Sequence, residues 1–338
     1  MRNKSLDAAK AIAAFLVVFI HISFPGMTGR IIKTLARSAV PFFFMVSGFF
    51  CYYGEKSAAG KIPGKIIHIL KITVFSLLFY FLWGCMVQVM KGQSVLKWAG
   101  KIFCAESMRD FFLYNFTSSI KPHLWFLPAL IYCYFLDYLI EKFHMRKAAF
   151  ILLPVLTCIL VWRGQVSRFF GIIYPVREYR NFLFTGMTFY LLGKFIHMWK
   201  EKGTGKPSPV LLVTAGAAGA GISIGECVFL GDREIYIGTV FFTVSVFLYC
   251  IFYGQSVHVP ECLFKAGRKL TLPLYLFHPA VIDAVRILAG AWKVKNNPVY
   301  LWTSPILVCI ITVLLICAVD KVWSLIRKYG IVLGNSKK

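Results

Sequence analysis

The sequence predicts an all-α, polytopic integral membrane protein of about ten transmembrane helices, with its N and C termini in the cytoplasm. Three observations lead there. Hydrophobic residues make up 58% of the 338 positions and charged residues only 15%, which excludes an ordinary water-soluble domain. Apolar runs long enough to cross a bilayer recur from one end of the chain to the other. Lysine and arginine, finally, gather in the connections between those runs. One membrane domain over residues 1–338, with no appended soluble domain, is the expected organisation.

The first expected span, 8–25, contains AKAIAAFLVVFIHISFP. Arg2 and Lys4 ahead of it resemble the start of a secretory leader, but SFPGMTG offers no small-x-small cleavage site, so the segment reads as a retained helix. Spans at 38–54 and 66–90 follow. In the connection 91–122, VLKWAGKIF sets Val95, Trp98, Ala99 and Ile102 in an apolar stripe beside Lys97 and Lys101, as expected of a short helix lying in the interface. The fourth span covers 123–140; the fifth, 148–162, is the shortest and carries Pro154. The sixth covers 181–199. The seventh, 209–229, includes AGAAGAGISIG, where Gly216, Gly219, Gly221 and Gly225 suit close helix packing, the last two at G-x-x-x-G spacing. Spans at 235–254, 271–290 and 299–320 complete the set.

Cytoplasmic termini assign 22 of the 38 basic residues to the inner side. The bias is clearest in the short inner connections: Lys142, Arg146 and Lys147; Lys194, Lys200, Lys202 and Lys206; Lys265, Arg268 and Lys269; and the tail with Arg327, Lys328, Lys337 and Lys338. The net charge of +24 is thus read as membrane topology and attraction to anionic lipid, and no nucleic-acid partner is expected. Ten cysteines, mostly inside apolar segments and without C-x-x-C spacing, imply neither a metal site nor a disulfide framework.

Ionisable groups inside apolar spans are costly and usually face a pathway or a bundle interior. Lys10 and His21 are such a pair. Eleven helical steps make roughly three turns, so the two share one helix face about 16 Å apart along the axis. Asp7, three residues before Lys10, is close enough to neutralise it. His278 falls near mid-depth of the ninth span, with Asp283 farther out, where an interhelical hydrogen bond explains it as well as a cavity contact. Ser47, within VSGFF, reads as a serine at a tight helix contact.

Five strings carry a resemblance: LDAAKAIAAFLVVFIHISFP, RSAVPFFFMVSGFF, HLWFLPALI, RNFLFTGMTFYLLG and LPLYLFHPAVI, in that order over residues 6–282. Together they resemble the successive signatures of the acyltransferase-3 family of membrane acyltransferases, and within it the branch containing the membrane half of vancomycin-resistance serine racemases. The resemblance implies O-acylation: an acyl group, commonly acetyl, passes from cytoplasmic acyl-CoA, which is a substrate and not a resident cofactor, to a hydroxyl of a cell-envelope carbohydrate or related acceptor. A bacterial cytoplasmic membrane is the location it implies, with the bilayer, acyl-CoA and an envelope glycan as partners.

The family's motif of a basic residue and a histidine with ten residues between them falls on Lys10 and His21, which the resemblance implies are catalytic. Many relatives have arginine at the first position, and lysine lacks its bidentate fork. The family's basic cluster entering the third span maps to Lys65, His68 and Lys71 as donor-binding residues. Acyl transfer to a hydroxyl needs a base and a partner for the developing oxyanion. His21 suits the first role because imidazole titrates near neutrality, and Arg37, at the outer entrance to the second span, suits the second or orients the acceptor. His123 and Trp125 open the fourth span; Arg180 and Asn181, after Glu178, precede the sixth. His123, Arg180, Asn181 and His278 are therefore acceptor-side or structural candidates, with a Glu178–Arg180 surface pair and an interfacial anchor at Trp125 as the plainer alternatives. The rival function is transport of a small molecule such as an amino acid.

Overall fold

Asn3 starts the first helix, α1 (Lys4–His21): its side chain accepts from Leu6 N at 2.9 Å, and Asp7 in the first turn suits the helix dipole. The structure, a computed structural model, describes residues 3–54, 58–117 and 119–335, and side chains as far as Arg327 except Ala58. Arg2, Lys337 and Lys338 lie outside the described residues, and the side chain of Lys328 does too. The expected class holds: helices account for the secondary structure, with no strand among the described residues.

Beyond α1 the chain departs first from expectation at α2 (Gly26–Ala36), which occupies what reads as a connection. It buries Gly29, Thr34 and Ala36 and turns Arg30 and Lys33 toward Asp232. A turn at Arg37 and Ser38 joins it to α3 (Ala39–Phe49), so the second span ends at Phe49 instead of residue 54. The third span is α4 (Ile62–Met90), apolar on every side, with Val74, Phe75, Leu78 and Leu82 facing outward. The interfacial stripe becomes α5 (Val95–Phe103), capped by Ser94, whose Trp98 stacks on Phe81 at 5.7 Å and fills the space beside Gly84. After α6 (Ala105–Tyr114), a 3-10 turn at Pro122–Trp125 leads into α7 (Phe126–Lys142).

Pro154 sits inside α8 (Arg146–Gly164) without ending it. A π-helical turn, Phe182–Met187, then runs into α9 (Thr188–Lys202). Two helices, α10 (Pro209–Leu230) and α11 (Ile237–Tyr253), form an antiparallel pair, followed by the short α12 (Glu261–Lys269). The last two are α13 (Thr271–Ala291) and α14 (Pro298–Asn335), which continues well past residue 320. Seven helical segments among the described residues are long and apolar enough to cross a membrane. The first, sixth and eighth expected spans are helical as well, but α1 carries Lys4, Asp7 and Lys10, and α9 and α11 have 15 and 17 residues. The protein is a multi-pass membrane protein.

Direct contacts order the helices end to end. At one end, Asn3 and Ser5 donate to the carbonyls of Cys250 and Gly254 (both 2.6 Å), and Gly267 of α12 lies so close to the Asp7 carbonyl that no Cβ fits. At the other, Arg286 donates to the His21 carbonyl (3.0 Å), and Trp302 meets Phe24 at 6.2 Å. Thus α13 runs parallel to α1 and α14 antiparallel to both.

Glycines set the closest crossings, though not the expected ones. Gly221 and Gly225 face open space, so their G-x-x-x-G spacing makes no interface among the described residues. Gly216 and Gly219, one face away, meet α11, where a Cβ at Gly219 would fall 2.6 Å from Phe242 N and one at Gly238 would strike the Gly219 carbonyl. Between α3 and α9 the contact is reciprocal: Gly48 lies on the Tyr190 carbonyl and Gly193 on the Met45 carbonyl. All ten cysteines are free thiols.

Candidate functional site

Three histidines from three distant segments meet near the His21 end of the bundle. His21 closes the last turn of α1, His123 lies in the 3-10 turn before α7, and His278 precedes the helix-interior Pro279 of α13. Ring centroids are 5.3 Å apart for His21 and His278, 5.5 Å for His123 and His278, and 6.1 Å for His21 and His123. His278 is held by its Nδ1, 2.8 Å from the Leu274 carbonyl, while its Nε2 and both ring nitrogens of His123 have no hydrogen-bond partner of good geometry among the described residues. Proline at 279 lacks the N–H that would close the helix on the Tyr275 carbonyl.

Two tyrosines brace the cluster. Tyr275 donates to the His123 carbonyl (2.7 Å) and fixes the 3-10 turn, and Tyr80 of α4 donates to the Leu276 carbonyl with its ring 5.0 Å from that of His123. Lys121 pairs with Asp283 (2.5 Å), which also accepts from the Trp83 indole (2.9 Å), so α7 begins where α4 and α13 converge.

A narrow cavity of about 40 Å³ opens from this cluster, lined among others by His21, Arg37, His123, Trp125, Arg180 and Glu234. Its volume exceeds the roughly 10–15 Å³ that one water needs. Arg37 Nη1 lies 2.6 Å and Arg180 Nη1 3.4 Å from the same oxygen, Glu234 Oε2. Arg180 also lies over the Trp125 and Phe116 rings, each 5.6 Å away. Trp125 is buried and contributes a cavity wall, in place of the expected membrane-interface anchor.

The sequence candidates divide accordingly. His21, Arg37, His123 and Arg180 line one cavity, and His278 touches its histidines. Asn181 is not among the lining residues: its Oδ1 accepts from Leu183 N and Phe184 N and caps the π-helical turn. Arg180 pairs with Glu234 instead of Glu178. Lys10 shares the His21 helix face but pairs with Asp7 at 2.6 Å, about three turns away from the cavity. Lys65, His68 and Lys71 all lie on α4: Lys65 donates to the Phe50 carbonyl (2.6 Å) and lies over Tyr53, while His68 and Lys71 are exposed. Ser47 donates to the Phe43 carbonyl four residues back, as a packing serine does.

Glu234 and Lys121 are the site residues that sequence reasoning missed. GDREIYI reads as an ordinary polar turn, and only the sign of Glu234 against two arginines elsewhere in the chain hinted at a partnership. Also missed was a buried ionic group near the opposite end: Lys194 contacts Asp137 and Glu141 (the latter at 2.6 Å), Tyr190 donates to Asp137 (2.8 Å), and Arg146 holds Glu141 (2.5 Å).

Residues 3–320 match the acyltransferase-3 family, described as an acyltransferase domain. The chain belongs to that family. Among curated proteins this acyltransferase-3 chain is 25% identical over 339 residues to a serine/alanine racemase of Enterococcus gallinarum, covering 94% of the chain and 46% of the relative. It is 31% identical over 209 residues to an amino-acid racemase of Enterococcus faecalis, covering 56% of the chain and 27% of the relative. The acyltransferase-3 chain therefore spans less than half the length of either. No solved structure matches it.

Proposed function

We propose that the protein is a membrane O-acyltransferase that moves an acyl group, acetyl by family precedent, from acyl-CoA to a hydroxyl of a cell-envelope acceptor, with His21 as base. The observation that carries this reading is the convergence of His21 with Arg37 and Arg180 on one cavity. A hydroxyl there loses its proton to the His21 imidazole as its oxygen attacks the thioester carbonyl. The guanidinium groups and the His123 ring, whose nitrogens have no hydrogen-bond partner of good geometry among the described residues, are available to the oxyanion. Collapse of that intermediate breaks the C–S bond, the coenzyme thiolate takes the proton back from the imidazolium, and an ester remains.

The bracing around the cluster supports this assignment, because a base acts efficiently only when its orientation is held. Lys10 then serves α1 and its Asp7 pair at a distance from chemistry. Of the donor candidates, Lys65 is the one whose ammonium turns inward, so donor contact by this segment rests on it. A bacterial cytoplasmic membrane and a glycan acceptor belong to the same proposal.

A second reading, transport of an amino acid, draws on the buried Lys194–Asp137–Glu141 group, which acyl transfer does not use. The names of the relatives, a serine/alanine racemase and an amino-acid racemase, make an amino acid the cargo to test. Labelled acetyl-CoA, the chain in proteoliposomes and an envelope extract separate the two. Transfer of label to a base-labile ester by the parent is expected, with a loss of about 10²–10⁴-fold in His21→Gln. A well-folded His21→Gln variant that keeps the parent's rate removes the base assignment; amino-acid uptake without any label transfer favours the transporter.

A further inference from the structure

Glu234 occupies a position that a ligand would be expected to fill. Arg37 and Arg180 come from segments 143 positions apart and reach one carboxylate oxygen, yet each engages it through a single Nη1. A guanidinium matched to a carboxylate normally presents two parallel donors. Here the Nε of both arginines is buried without a hydrogen-bond partner among the described residues, and the two side chains are only 12% and 14% exposed. The lining thus holds two cations against one anion, with donors left over.

The mounting of Glu234 permits exchange. It stands in the connection between α10 and α11, three residues past Gly231, a left-handed glycine (φ +85°). The loop is tied from outside through Asp232, which pairs with Arg30 (3.1 Å) and Lys33 (3.5 Å) on α2. Swinging the Glu234 side chain away leaves those outer ties intact. Arg180 stays positioned without it, since Trp125 and Phe116 hold its guanidinium plane.

We propose that the acceptor carries a carboxylate: its anionic group displaces Glu234 from Arg37 and Arg180, and its hydroxyl is thereby directed to His21. Glu234 keeps the two arginines neutralised while the site is empty and sets a threshold that a neutral hydroxyl compound does not pass. The inference rests on the acyltransferase reading for the identity of the ligand as acceptor, but its binding test needs no donor.

Saturation-transfer NMR on the purified full chain in nanodiscs compares two matched pairs, glucuronate with glucose and glycerate with glycerol. The parent should favour at least one acid over its neutral partner by about tenfold or more, the scale of one charge-assisted contact. Glucuronate preferred over glycerate points to a sugar acid, the reverse to a small hydroxy acid. Glu234→Gln should tighten the preferred acid several-fold and leave the neutral partner unchanged; Arg180→Gln should erase the preference, and Arg180→Lys should restore part of it. Equal binding of acid and neutral partner by the parent overturns the proposal whatever the variants do, as does a folded Glu234→Gln protein with unaltered acid affinity. Label transfer from acetyl-CoA by a parent that shows no acid preference would leave the transferase reading standing and remove this one. Acid preference with no transfer would do the opposite.

Discussion

Glu234 and Asp232 make the site sensitive to acid at the level of single residues. Burial pushes the Glu234 carboxyl up, but Arg37 and Arg180 outweigh it and hold the group below its ordinary 4.5. For Asp232 burial acts in the same direction and is outweighed by the hydrogen bond from Arg30, with Cys227 and Lys33 adding to it, so that this group lies below 3.8. Values depressed in the folded state mean that both carboxylates stabilise the loop fully above the ordinary carboxylate range and lose that contribution as the pH falls through it. The thermal midpoint of the parent should therefore drop between about pH 5 and pH 3, and that of a Glu234→Gln, Asp232→Asn double variant should drop less. Parallel curves for the two proteins would remove the linkage. His21 and Arg37 were legible in the sequence because an ionisable group in or beside an apolar run stands out, and both line one cavity. What was not legible is convergence. Periodicity relates Lys10 to His21 along one helix, but the register between α1, α7 and α13 that joins three histidines is a property of packing.

At the scale of elements, Gly219 and Gly221 offer a paired test. Both belong to α10 and differ by two residues, but a side chain at 219 runs into the α11 backbone at Phe242 and Gly238 while one at 221 meets nothing. Gly219→Leu should cost on the order of 1–3 kcal/mol or more as an overpacked contact, and lower the thermal midpoint and folded yield. Gly221→Leu should leave both near the parent. Equal losses for the two would mean that α10 presents another face to α11. The spacing of small residues in AGAAGAGISIG signalled a close contact without saying which stripe makes it, since stripes two residues apart differ only in what lies opposite. Similar reasons hid α2 and α12. Each is short and basic on one side, so neither reaches the apolar length that marks a span, and each is ordered by what it docks on: α2 by Asp232, α12 by the backbone of α1. Apolar length did mark α4, α8, α10, α13 and α14.

For the whole molecule, the end-to-end contacts put Lys202 with the Lys4 end and Lys97 with the His21 end of the bundle. In a background with the exposed Cys104, Cys158, Cys262 and Cys317 replaced by serine, an impermeant maleimide applied to intact cells should label Lys97→Cys and spare Lys202→Cys until the membrane is opened. The reverse pattern would invert the orientation expected from the basic connections. The histidine cluster has one further consequence, in the order of synthesis. Its members stand at positions 21, 123 and 278, and the first helix is clasped at its base by Cys250, Gly254 and Gly267. Although α1 also packs on α2 and α3, the carbonyls that clasp its base lie 247 and 249 residues farther along the chain and are translated well after it. Until α11 to α13 arrive, the base of α1 sits in the bilayer with Asp7 and Lys10 neutralising each other, so that their ion pair serves as a holding arrangement for a helix end that is clasped late.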